Sequence, residues 1–152
     1  MHISDADRRI LRVLQSEGRI SASELARRIG MSESSCLRRM KSLEEAGVIL
    51  GYQAIVDQRQ IGFSMSAIIM VSTNQRTETD RKDLLSAIES DPQFISCAGG
   101  TGNYDFIIEA VVRDIDDLSD LTLRKILELP SVTAISTSII VKWIKRNAPL
   151  PV

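Results

Sequence analysis

Residues 21–47 read SASELARRIGMSESSCLRRMKSLEEAG, and this stretch decides the N-terminal fold. Ser21 and Ser23, with Glu24 behind them, announce a helix that carries Leu25, Ala26 and Ile29 on one face and stops at Gly30. Its length is about two turns. After Met31, Ser32 caps a further helix that runs toward Ala46 before Gly47. On it Cys36, Leu37, Met40 and Leu43 share one face, while Ser34, Ser35, Arg38, Arg39, Lys41 and Ser42 lie around the other sides. One side is expected to pack, the other to present hydroxyls and cations. Two helices joined by a Gly-Met-Ser turn, the second polar and basic, form the geometry by which a recognition helix enters a DNA major groove.

Working outward, Ile10, Leu11, Val13 and Leu14 recur at helical spacing between Asp5 and Gln15, with Ser4 or Asp5 as cap and Gly18 as stop. Beyond the quoted stretch, Val48 to Val56 reads as a strand pair, which predicts a winged variant of the helix-turn-helix. Charge follows the same division. Residues 1–50 hold nine Lys/Arg against seven Asp/Glu, and Arg19 to Lys41 holds six basic residues against Glu24 and Glu33, on a chain of net charge −1. That is a local basic patch on an otherwise acidic molecule. A solvated helix face would show similar residues. The three short helices, the turn and the basic excess together favour DNA.

Asp57 to Gly62 is polar and ends at glycine, so a linker is placed over residues 57–64, between a domain of residues 1–56 and one of residues 65–152. The second domain makes two passes through one pattern. A strand over Met65 to Thr73, a helix over Asp80 to Glu89 and a strand from Phe94 to about Ala98 come first. A strand over Tyr104 to Arg113, a helix over Asp116 to Glu128 and a strand over Val132 to Ile144 follow. Pro92 and Pro130 stop the two helices. The fold class expected is therefore α+β, a helix-turn-helix followed by a ferredoxin-like βαββαβ domain. Along Phe106 to Val112, Phe106, Ile108, Ala110 and Val112 occupy one side and Ile107 and Val111 flank Glu109 on the other. A sheet with helices on one face and apolar residues on the second needs a partner, at least a dimer through the sheets.

Apolar residues at 43% and charged residues at 26% fit a folded globular chain and not a disordered or fibrous one. The apolar runs fall far short of the roughly 18 to 20 residues that span a bilayer. The early acids Asp5 and Asp7 do not suit a secretory signal, so a cytoplasmic protein is expected. Cys36 and Cys97 lie apart with no CxxC spacing, and His2 is the single histidine, at the extreme end. No metal or cofactor is expected, and no nucleophile has an obvious base nearby, so the reading is not that of an enzyme.

The whole chain resembles the Lrp/AsnC (feast/famine) family of transcriptional regulators. The resemblance rests on Asp5-Ala6-Asp7-Arg8-Arg9-Ile10-Leu11, Gly18-Arg19-Ile20-Ser21, Glu24-Leu25-Ala26, Ser32 to Arg39, Leu43 to Ile49, and Gly102-Asn103-Tyr104-Asp105-Phe106. It implies double-stranded operator DNA as partner, homodimers that assemble to tetramers or octamers, and an amino acid as effector. By position, the DNA-binding residues would be Ser32, Ser34, Ser35, Arg38, Arg39 and Lys41, with the cations suited to phosphate or guanine edges. Effector-binding candidates are Gly100, Thr101, Gly102, Asn103, Tyr104 and Asp105, where backbone N–H groups suit a carboxylate and Asp105 an ammonium. Ser136, Thr137 and Ser138 could line the same cleft or be ordinary strand positions. The glycine-rich segment equally suits a hairpin with Asp105 satisfied inside it. Asn103 stands where many relatives carry an acid, which leaves the effector open. An effector-independent architectural DNA-binding protein is the alternative function.

Overall fold

In the computed structural model, residues 2–74 and 78–152 are described. They divide into two compact units, one made of the chain up to Val56 together with Lys145–Val152, the other of Asp57–Ile144. Residues 145–152, expected in the second domain, thus group with the first.

In the first unit, α1 spans Asp5–Ser16, α2 Ala22–Ile29 and α3 Glu33–Glu45. Each begins at a serine. The Ser4, Ser21 and Ser32 hydroxyls accept from the N–H groups of Asp7, Glu24 and Ser35, and Asp7 returns a carboxylate to the Ser4 N–H as a capping box. Gly30 ends α2 with φ +69, a left-handed turn that glycine adopts without the penalty a Cβ would carry. The core of the unit is Ile10, Leu25, Ala26, Ile29, Cys36 and Leu43. Burying a leucine or isoleucine stabilises by about 1.5–3 kcal/mol, and partly buried residues such as Leu11, Leu14, Met40 and Ile49 pack around these six. Burial, with Glu33 nearby, pushes the Cys36 thiol up, as befits a packing residue.

The expected strand pair at Val48 to Val56 does not form. Residues 50–57 are without regular structure, and Leu50 is 94% exposed. No Asn-Gly-type dipeptide closes a hairpin there. Instead the Tyr52 phenol donates to Glu44 on α3 at 2.9 Å. Burial and this bond push the phenol up to about 12.

In the second unit β1 spans Met65–Thr73, α4 Glu78–Ser90, β2 Phe94–Gly99, β3 Phe106–Val112, α5 Ile115–Ser119 and β4 Val132–Ile139. The sheet order is β2-β3-β1-β4, with antiparallel pairing throughout, which is the ferredoxin-like arrangement. The ladder sets Ile69 against Ile108 and Thr137. Ala67, Ile69, Val71, Ile108, Ala110 and Val112 bury against Leu84, Ile88, Leu118, Leu121 and Ile126 from the helices. Because β1 begins at Met65 and Ala67 pairs with Ile139, β4 runs out of partner soon after Ile140, whose N–H reaches the Ser66 carbonyl. It therefore ends at Ile139, short of the expected Ile144.

The helix expected over Asp116 to Glu128 is α5 continued by a wider π-helical stretch over Asp120–Ile126. There the Leu127 N–H bonds the Thr122 carbonyl, five residues back, at 3.0 Å. Thr122 is buried, and its hydroxyl donates to the Leu118 carbonyl at 2.8 Å. On the sheet face away from the helices, Met70 pairs with Ile107 and Ile68 with Glu109, and Ile107 remains 44% exposed.

Candidate nucleic-acid interface and effector cleft

The α3 helix places Ser34, Leu37, Arg38 and Lys41 at positions i, i+3, i+4 and i+7, a single exposed stripe. Ser32 and Ser34 lie hydroxyl to hydroxyl at 3.4 Å at its start, and Ser35 is half-buried. Leu37, expected to pack with Cys36, is 48% exposed and belongs to this stripe. Its position three residues after Ser34 and four before Lys41 was the available signal. The Lys41 ammonium stands 3.7 Å from Glu45, with both side chains open to water, a pair too screened to hold the cation back.

Arg39 points elsewhere. Its guanidinium donates to Asp7 at 3.0 Å and to the Ser4 hydroxyl at 3.3 Å, with Asp7 only 6% exposed at the side chain. Burial alone would raise the Asp7 carboxyl. The Ser4 hydroxyl and N–H, with Arg39, outweigh it and hold the group below the usual aspartate range. Arg39 thereby ties α3 to the start of α1.

The other arginines of the motif stand in closer, hydrogen-bonded pairs with acids. Glu24 accepts from Arg27 at 2.7 Å and from Arg28 at 2.9 Å, and Arg28 also meets Glu17. Hydrogen bonds from Arg27, then Arg28, hold the Glu24 carboxyl at about 2. The basic excess read from Arg19 to Lys41 is therefore expressed chiefly on α3.

In the second unit, a cavity of about 620 Å³ is lined by Thr73, Asn74, Arg81, Gly99, Gly100, Asp105 and Phe106. Asp105 Oδ2 accepts from the Thr73 N–H at 2.6 Å and hydroxyl at 2.9 Å, so the carboxylate is held at the end of β1. The Gly100 N–H bonds the Asp105 carbonyl at 2.9 Å, and a Cβ on Gly100 would stand 3.3 Å from the Tyr104 carbonyl. A side chain there would oblige the Tyr104 carbonyl to give by a few tenths of an ångström. Of the expected effector residues, Gly100 and Asp105 line this cavity. Thr101, Gly102, Asn103 and Tyr104 form the rest of the loop outside its lining.

Ser136, Thr137 and Ser138 are not drawn to it. They sit on β4 beyond β1, with Ser136 and Ser138 opposite Met70 and Ile68 and Thr137 opposite Ile69 on the reverse face. Strand alternation splits the trio. Arg81 is a lining residue that the sequence reading missed, its signal being a cation on the first turns of α4. An arginine and an aspartate at one opening supply opposite charges for the two ends of a zwitterion. No group of three or more candidate metal ligands occurs among the described residues, and no described helix is long and apolar enough to cross a membrane.

Residues 3–49 match the family model for a winged helix-turn-helix DNA-binding domain, and residues 66–150 match that for an Lrp/AsnC ligand binding domain. A leucine-responsive regulatory protein of Rhizobium meliloti is 32% identical, over 91% of this chain and 89% of its own length. The transcriptional regulator AzlB of Bacillus subtilis is 29% identical over 99% of this chain and 96% of its own. Among solved structures, the transcriptional regulator NMB0573 of Neisseria meningitidis, in complex with L-Met, superposes with a TM-score of 0.93 at 32% identity, covering 99% of this chain and 97% of that one. AsnC of Escherichia coli superposes with a TM-score of 0.84 at 25% identity, covering 96% and 97%.

Proposed function

The chain belongs to the Lrp/AsnC family of transcriptional regulators, and we propose that it reads operator DNA with the outer stripe of α3 under the control of a free amino acid. Arg38 and Lys41 contact phosphates or guanine edges, Ser32, Ser34 and Ser35 approach the backbone closely, and Leu37 offers an apolar contact of the kind a thymine methyl takes. Arg39 positions the helix from behind through Asp7.

The observation that carries the sensing half is the pairing of Arg81 and Asp105 at one cavity. Arg81 takes the effector carboxylate and Asp105 the ammonium, with the Gly99-Gly100 backbone leaving room between them. That a solved relative holds L-Met supports an amino acid as the ligand class. The open sheet face around Met70 and Ile107 pairs with a second copy, and dimers assemble further into tetramers or octamers. The site of action is the cytoplasm, where operator DNA lies.

A thermal-shift screen of the purified protein against the standard amino acids, with light scattering on each hit, tests this reading. A ligand bound only by the folded state stabilises by about 2.7 kcal/mol at a hundredfold excess over its dissociation constant. The expected result is a selective shift that Asp105→Ala and Arg81→Ala both abolish. No shift with any amino acid would replace this reading with that of an effector-independent architectural protein.

A further inference from the structure

The first unit holds one segment that the DNA-reading role leaves unused. Asn147 has φ +53, a left-handed turn that asparagine tolerates better than most residues. It leads the chain into Ala148-Pro149-Leu150-Pro151-Val152. Each proline fixes its own φ, and each disfavours the helical region for the residue before it, so Ala148 to Pro151 is biased toward extended backbone before it touches anything. The prolines also lack N–H groups, which leaves Leu150 as the donor between Ala148 and Val152.

Both backbone groups of Leu150 meet one side chain. Its N–H donates to Gln15 Oε1 at 2.6 Å, and its carbonyl accepts from Gln15 Nε2 at 3.3 Å. Three residues earlier on α1, Arg12 Nε donates to the Val152 carbonyl at 2.6 Å. Leu150 and Val152 edge a cavity of about 340 Å³ whose walls include Leu11, Leu14, Val48 and Tyr52. An apolar groove with an aromatic wall and a side-chain amide matched to the N–H and carbonyl of one extended residue is the form of site that takes extended, proline-flanked peptides.

We propose that the first unit carries a groove for a proline-flanked extended peptide and that residues 148–152 of the same chain lie along it as a strap. The strap gives that unit a second covalent route to residues 57–144, besides the one at Val56–Asp57. Its hold is light, since Leu150 is 72% exposed and hydrogen bonds rather than burial carry the contact. Occupancy then depends on tethering, which supplies an effective concentration of order millimolar for a short linker. Only residues 140–147 separate the strap from β4.

Hydrogen exchange of the Leu150 amide, followed by NMR in full-length protein labelled with 15N-leucine, tests the strap. The amide is expected to exchange about tenfold or more slowly than in the free peptide Asn-Ala-Pro-Leu-Pro-Val, the range of a locally opening contact. In Gln15→Ala it should rise to the free-peptide rate while Leu25 and Leu84 keep theirs. Free-peptide exchange in the unsubstituted protein, or no response to Gln15→Ala, overturns the proposal. Labelled Gln15→Ala refolded together with excess unlabelled, unsubstituted protein separates the two possible sources of the strap. A strap from the same chain stays unprotected in that mixture, whereas recovered protection means that a second copy fills the groove and overturns it.

Discussion

Arg38→Ala and Arg39→Ala are adjacent substitutions of the same kind, and the structure assigns them opposite outcomes. Deleting one partner of a fully buried ion pair costs about 3–5 kcal/mol. Here Asp7 keeps its bonds to Ser4, and Arg39 is 36% exposed at the side chain, which reduces the expected cost to about 1–2 kcal/mol. A loss of that size multiplies the unfolded population of the first unit by about 5 to 30. The core amides of Leu25 and Leu43 should exchange faster by that factor in Arg39→Ala, and in Asp7→Asn the further change Arg39→Ala should add little. Arg38 is exposed, so Arg38→Ala should leave exchange within the roughly ±0.5 kcal/mol of a neutral surface change. Binding to duplex DNA, measured by anisotropy across a salt series, reverses the order. Arg38→Ala should weaken binding and flatten the slope of log K against log salt by about 1, as loss of a phosphate contact requires, and Arg39→Ala should keep the slope. Unchanged exchange in Arg39→Ala together with a slope lowered by about 1 would refute the division of labour.

Three further outcomes follow from the packing. Asp7 is held below its ordinary range when folded, so its contribution to stability is complete above that range and is lost as pH falls from about 4 through the depressed value. Acid denaturation of the protein should show this component, and Asp7→Asn should remove it. Gly30→Ala places a Cβ in open space but at φ +69, so the cost is conformational alone, a loss of about 1–2 kcal/mol of stability in the first unit read from a lowered denaturant midpoint. Met70→Glu sets a charge opposite Ile107 on the open sheet face, and light scattering should then report a smaller assembly with the β1 and β3 amides still protected. A full-size assembly would place the dimer contact elsewhere.

How much of this was legible in the sequence depends on how local each signal was. The three serine caps and Gly30 placed α1 to α3 within a residue or two, because a cap is a bond between neighbours in the chain. Met65 to Thr73 was read to its ends because the apolar run Ala67 to Val71 lies between polar residues on both sides. The features that escaped were set by distant residues. Leu37 is apolar and adjoins Cys36, which invites a place in the packing face, yet the core closes over Cys36 and Leu43 without it. The strand pair expected at Val48 to Val56 is absent, and the Tyr52 phenol there bonds Glu44 on α3 instead. The end of β4 at Ile139 is decided by where β1 begins at Met65, far away in the chain, and the split of Ser136, Thr137 and Ser138 appears once the β1 register is known. Arg81 and Asp105 come from α4 and the β2–β3 loop, and no spacing in the sequence joins them.

The wide turn at Asp120–Ile126 has a consequence for inheritance. Leu121 and Ile126 are five residues apart and both fully inside, at 1% and 0% exposure. On an ordinary helix of 3.6 residues per turn, five steps would leave them about 140° apart around the axis. The π-helical winding absorbs the surplus residue, so everything after it, including Pro130 and the start of β4, keeps its place. A lineage can therefore gain or lose one codon in this stretch without rotating the downstream chain, whereas the same event in α4 would turn Leu84 and Ile88 away from each other. Length variation of a single residue among relatives should collect here, inside a helix, in a place where loops would ordinarily be searched first.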